Sequence, residues 1–116
     1  MANSYRDLVA WQRSIQMALA VYGLTDAFPS RELYGLTSQL RRASVSVASN
    51  IAEGYCRVST GEYKQFLGIA RGSNAEIQTQ LVISKALKMG DPSALDKSSA
   101  LSEEVSKMIY ASMKQL

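Results

Sequence analysis

The chain has 116 residues, 47% of them apolar and 20% charged, enough for one small hydrophobic core and too little for a second. A single cysteine, Cys56, and no histidine exclude a disulfide framework, zinc-finger spacing, histidine-based acid–base catalysis and the carboxylate–histidine ligand sets of di-iron bundles. Thirteen basic against ten acidic residues leave a net charge of +3, which permits an anionic partner without demanding one.

No stretch approaches the ~18 to 20 apolar residues of a membrane span, and the N-terminus lacks the basic-then-apolar order of a signal peptide. The expected address is the cytoplasm, with no membrane contact. From Asp7 the apolar residues Leu8, Trp11, Ile15, Ala18, Leu19 and Tyr22 recur at three- and four-residue spacing, which predicts a first helix over 7–27. Pro29 then punctuates the pattern, and Ser30 is placed to cap a second helix over 31–54. Its stripe is Leu33, Leu36, Leu40, Ala43, Val47 and Ile51, and Gly54 supplies a stop. Ser59 and Glu62 have capping-box spacing at the start of a third helix over 60–89, with Tyr63, Phe66, Leu67, Ala70, Ile77 and Leu81 on one side. After Asp91-Pro92 a fourth helix over 93–115 carries Leu95, Leu101, Val105, Met108, Ile109 and Leu116. No useful β-type alternation, internal repeat or low-complexity tail interrupts this order. Four amphipathic helices with short connections predict an all-α, antiparallel up-and-down four-helix bundle forming one domain over 1–116.

Helix two has a second face. Tyr34, Val45, Ala48 and Ala52 fall within about 60° of one another, away from the Leu36/Leu40 stripe. They form either a wide core face wrapped within the bundle or an oligomer interface with another copy of the chain.

Enzyme signatures are weak. Tyr110 and Lys114 have the Y-x-x-x-K spacing of short-chain dehydrogenases, but no strand or glycine-rich dinucleotide turn precedes them. Gly68 and Gly72 form G-x-x-x-G inside a helix, read as close packing of two helices. Ser44, Ser46 and Ser49 lack a base and read as small packing residues. Arg42, Glu53 and Glu76, with Arg71, are candidates for an ion-pair network. No catalytic residue, metal or cofactor is expected.

The basic residues carry more information. Residues 31–90 hold eight basic and four acidic residues, whereas 1–30 hold two of each and 91–116 hold three and four. On helix three Lys64, Arg71, Gln78 and Lys85 repeat every seven residues, a nearly axial stripe about 31 Å long. Such a stripe is able to track a phosphate backbone, with Arg41, Arg42 and Arg57 widening it. No aromatic residue interleaves with these positions along the chain, which argues against base stacking. Arg41 and Arg42 point about 100° apart, so one is expected in an ion pair and the other free for an anion.

Several segments resemble a known family in order and spacing. They are Tyr5-Arg-Asp-Leu with Trp11-Gln12, Phe28-Pro29, Glu32-Leu-Tyr-Gly-Leu-Thr, Gln39-Leu-Arg-Arg-Ala, Ser49-Asn-Ile-Ala-Glu-Gly-Tyr, Glu62-Tyr with Phe66-Leu67, and Ala70-Arg-Gly-Ser. Over residues 5–90 the chain is similar to the bacterial four-helix bundle proteins of the 23S ribosomal RNA intervening-sequence family, which includes the accessory protein of diversity-generating retroelements. The resemblance implies a ring-like homopentamer and no known enzymatic activity. In the retroelement branch it implies RNA or DNA and a reverse transcriptase as partners of a basic surface. The family's hallmark positions correspond to Gln39, Arg41, Arg42, Asn50, Glu53, Gly54, Arg57, Arg71 and Ser73. Two residues depart from the pattern: Cys56 stands where a glycine is expected, and Asn74 where an apolar residue is. The reading that follows is a self-associating binding module with a basic surface for nucleic acid. Its rival is a structural or protein-interaction module whose basic residues are consumed internally.

Overall fold

The computed structural model describes residues 4–116. Four helices follow one another: α1 (Val9–Asp26), α2 (Leu36–Tyr55), α3 (Thr60–Ala86) and α4 (Pro92–Lys114), with short 3-10 turns at Tyr5–Asp7 and Ser30–Glu32. No strand occurs among the described residues. Each helix packs against two others in the cyclic order α1, α2, α3, α4, and the particle measures 43 × 23 × 20 Å. Successive helices run in opposite directions: Gln39 meets Gln80 and Ser46 meets Ser73 between α2 and α3, while Asn74 meets Ser102 and Arg71 meets Tyr110 between α3 and α4.

One core joins the four helices, centred on Met17, Val21, Leu40, Val47, Ile51, Ile77, Val105 and Ile109, all at 0% exposure. At about 25 cal/mol per Å² of apolar surface removed from water, burial of this core drives the packing. In α1 the buried line is Ser14, Met17, Val21, Leu24 and Thr25. Leu19 and Tyr22, which the spacing placed on the core side, face solvent instead, because a wide apolar pattern leaves the centre of the stripe undetermined by a turn fraction.

The caps explain the boundaries. Ser59 Oγ accepts from the Glu62 amide and Asp91 Oδ2 from that of Ala94, with Pro92 in the first turn of α4. Ser30 does not cap α2. Residues Ser30–Glu32 form the 3-10 turn, and α2 begins at Leu36, whose amide donates to Glu32 Oε1. Leu33 therefore leaves the stripe and is half exposed. The third helix ends at Ala86, short of residue 89, where the left-handed Lys88 (φ 56°) and Gly90 (φ 79°) turn the chain into α4.

Gly54 stops nothing, since α2 runs one residue past it. A Cβ there would lie 2.6 Å from Phe66 Cβ and 3.1 Å from Tyr63 Cδ1, so the glycine permits α2 to touch the start of α3. Conversely, a Cβ on Gly72 would meet nothing within 4 Å, and one on Gly68 only the Met113 methyl at 3.9 Å. The G-x-x-x-G pair is thus not a packing motif within this bundle; it lies on the exposed side of α3.

Buried serines bond to their own helices. Ser14, Ser84 and Ser98 donate to the carbonyls of Ala10, Gln80 and Ala94, and Ser44 to that of Arg41. Of the three serines read from the sequence as packing residues, Ser44 is buried and self-satisfied, Ser46 is half-buried and meets Ser73 of α3, and Ser49 is exposed.

Candidate nucleic-acid interface

The heptad spacing on α3 aligns Lys64, Arg71, Gln78 and Lys85 along its α4-facing boundary. Arg71 lies with its guanidinium carbon 4.8 Å from the centre of the Tyr110 ring on α4. Lys85 lines an opening of about 340 Å³ with Lys88, Pro92, Leu95 and Asp96 at the start of α4. Lys64, Arg71 and Lys85 are exposed, and none forms an ion pair among the described residues. Lys114, one turn beyond Tyr110, places its ammonium 5.5 Å from the same ring centre, and Lys107 precedes Lys114 by seven residues on the same side of α4. The basic face is therefore built by two helices. Arg71 and Lys114 meet at the Tyr110 ring, with Lys107 two turns before Lys114 and Glu103 one turn before Lys107 along α4, whereas the Lys85 end is diluted by Asp96.

Tyr110, Lys107 and Lys114 were missing from the sequence-derived stripe. Their own spacing shows that they share a face of helix four, but only the packing of α3 on α4 places that face beside Arg71. An aromatic side chain does stand among the cations, contrary to the reading along α3 alone.

The three arginines expected to widen the stripe behave differently. Arg41 lies on the α1 side of α2. Its Nε donates to Thr25 Oγ1 at 2.8 Å, its Nη2 pairs with Asp26 Oδ1 at 2.9 Å, and its guanidinium covers Tyr22 at 4.7 Å. Arg57 pairs with Glu53 at 3.3 Å and Glu62 at 4.0 Å and covers Phe66 at 4.8 Å. Both charges are locally balanced and lie off the α3/α4 boundary, so neither extends the stripe. Arg42 is exposed and makes no ion pair among the described residues. The assignment within the adjacent pair is thus Arg41 engaged and Arg42 free. The expected Arg42–Glu53–Glu76 network does not form: Glu53 turns to Arg57, and Glu76 lines a shallow groove with Gln39, Gly72, Ala75 and Thr79.

The second face of α2 divides as well. Val45, Ala48 and Ala52 line a hollow of about 260 Å³ with Tyr5, Trp11, Ile15 and Ala18. Ala48 is only 6% exposed because α1 covers it, so its small side chain serves helix packing inside the protomer. Val45 is half exposed, and Tyr34, at 92%, stands apart at the entry to α2. These four residues do not form one continuous exposed patch.

Residues 6–111 match the family described as 23S rRNA-intervening sequence protein. The chain belongs to that family. Its fold is shared with a crystal structure of a protein of unknown function from the S23 ribosomal protein family of Bacteroides thetaiotaomicron, at a TM-score of 0.81 and 18% identity, over 91% of this chain and 99% of that one. No curated protein matches the chain.

Most of the positions that the resemblance marked as hallmarks have internal structural partners here. Gln39 accepts from Gln80 Nε2, Asn50 donates to Ser46, Ser46 meets Ser73, and Gly54 admits α3. Cys56, where the resemblance leads to the expectation of a glycine, has φ −81°, a conformation open to any residue. Asn74 is 1% exposed, and its amide makes two 2.8 Å bonds with Ser102, donating to the carbonyl and accepting from the hydroxyl. A polar side chain is tolerated at this buried position because Ser102 satisfies it. Among the described residues no helix is long and apolar enough to cross a membrane, and no metal-binding cluster occurs.

Proposed function

We propose that this chain is a non-enzymatic binding module that holds nucleic acid by its phosphates on the α3/α4 face. One observation carries the reading: Lys64, Arg71 and Lys85 are aligned, exposed and free of carboxylate partners among the described residues, while Arg13, Arg41 and Arg57 are ion-paired away from that line. Unpaired cations along a rigid helix release counterions from a polyanion without first breaking internal salt bridges. Phosphate contact positions a strand and carries little sequence information. The family resemblance adds a nucleic-acid-handling protein such as a reverse transcriptase to this proposal as a co-partner of the same face.

The test is RNA retention against salt for wild type and a Lys64→Glu/Arg71→Glu/Lys85→Glu variant. Three phosphate contacts on a single strand predict a log–log salt slope of about −2 per protomer. The variant should keep its melting temperature and lose retention. No retention by wild type at low salt, or equal retention by the variant, would replace this reading with a structural module.

Self-association belongs to the same proposal, a homopentameric ring being the form that the family resemblance favours. Exposed Tyr34 and Val45 support it; light scattering is the check, with Val45→Glu as the probe. Ala48→Glu is unsuitable because α1 already buries that position. A ring would multiply weak phosphate contacts through avidity. A mass of one protomer at tens of micromolar would remove this part.

A further inference from the structure

The cationic face contains an aromatic ring whose position phosphate binding alone does not explain. Tyr110 is 47% exposed, and its hydroxyl makes no hydrogen bond among the described residues. Arg71 approaches the ring from α3 and Lys114 from its own helix, at 4.8 and 5.5 Å from the centre. Neither cation has a carboxylate partner among the described residues. The ring keeps nearly half of its surface in water with two cations beside it, so a flat π-face is accessible within a cationic surface.

We infer that Tyr110 is a stacking platform for an unpaired base, with Arg71 and Lys114 holding the flanking phosphates, so that the face selects single-stranded nucleic acid over duplex. The inference rests on the nucleic-acid reading above and narrows its substrate class. In a duplex the base faces are stacked on one another and cannot reach a side chain, while an unpaired base offers a π-face to tyrosine or to an arginine plane. Lys114 is the cation suited to move. It sits on a flexible stem near the helix end, so it can leave the ring for a phosphate as a base arrives. Arg71, planar, has a guanidinium able to stack on an aromatic ring or a base as well as bond a phosphate. Stacking of this kind tolerates any base, so the selection is for strandedness and not for sequence.

The experiment compares three labelled probes of equal phosphate count, about a dozen nucleotides long: single-stranded oligoadenylate, an abasic oligomer and a duplex. Wild type is expected to bind oligoadenylate about 5- to 150-fold more tightly than the abasic oligomer, the range that one stacked base supplies. Tyr110→Phe should keep that ratio. Tyr110→Ala and Tyr110→Leu should reduce it to about one while leaving the salt slope unchanged, because no phosphate contact is lost. The leucine variant keeps apolar bulk beside Arg71, so loss of the ratio there reports the π-face and not packing. Equal wild-type affinity for oligoadenylate and abasic oligomer overturns the stacking role and leaves the basic-face reading intact. Retention of the ratio by both Tyr110→Ala and Tyr110→Leu does the same. If wild type binds none of the probes at low salt, the basic-face reading fails and this inference fails with it.

Discussion

Gly54 and Gly72 should respond in opposite directions to the same substitution. In Gly54→Ala the added methyl would sit 2.6 Å from Phe66 Cβ, where carbon atoms prefer about 3.5 to 4 Å. Phe66 Cβ is anchored directly to the α3 backbone, and the Tyr63 carbonyl stands 3.3 Å away, so no side-chain rotation relieves the contact. The helices must separate by about 1 Å, an overpacking that costs roughly 1–3 kcal/mol. Alanine's helix propensity returns at most about 1 kcal/mol in a helix interior and less here, one residue from the end of α2. The net loss is about 1–2 kcal/mol, or a fall of about 4–8 °C in Tm at roughly 4 °C per kcal/mol for a domain of this size. Gly72→Ala, in open space in the middle of α3, should instead stabilise by about 0.5–1 kcal/mol. Urea denaturation followed by circular dichroism at equal protein concentrations, with unchanged m-values, measures both. Gly54→Ala at wild-type stability, or Gly72→Ala below it, would refute the assignment of close approach to one glycine and open space to the other.

Arg41→Ala should lower stability by about 1 kcal/mol, chiefly through Thr25, because Asp26 is 79% exposed and its ion pair is screened. Arg42→Ala should change melting by less than about 0.5 kcal/mol, and equal shifts at both positions would contradict the structure. A double-mutant cycle between Asn74→Leu and Ser102→Ala should show coupling of about 1 kcal/mol, since each residue satisfies the other in the core; additivity would refute the clamp. Burial, reinforced by the charge of neighbouring Tyr55, raises the Tyr63 hydroxyl above its usual pKa of 10.0. The unfolded chain then releases this proton before the folded one does, so the contribution is complete below pH 10.0 and declines as pH rises through and beyond it. Tyr63→Phe should flatten that alkaline decline in a pH series of denaturation curves, and an unchanged slope would remove Tyr63 as its source.

Four helices and their approximate limits were legible in the sequence because period, caps and prolines are local signals. Ser59 and Asp91 act within three residues of themselves, and the Lys64–Arg71–Lys85 alignment follows from helix geometry alone. Which side of a helix meets which neighbour is not local. Leu19 and Tyr22 read as core until Met17, Val21 and Leu24 are seen to take the centre. The same limit governs the candidate site residues: helix two carries Arg41 and Arg42 side by side, but whether the charge of Arg41 is spent depends on Asp26 and Thr25 in another helix. Gly54 is an apparent stop until α3 is laid against it, and Gly72 an apparent contact until nothing is. The sequence by itself determined a helical chain with a row of cations down one helix. Only the tertiary structure brought Tyr110 from α4 to that row, because two residues 39 positions apart become neighbours through antiparallel packing and through no pattern along the chain.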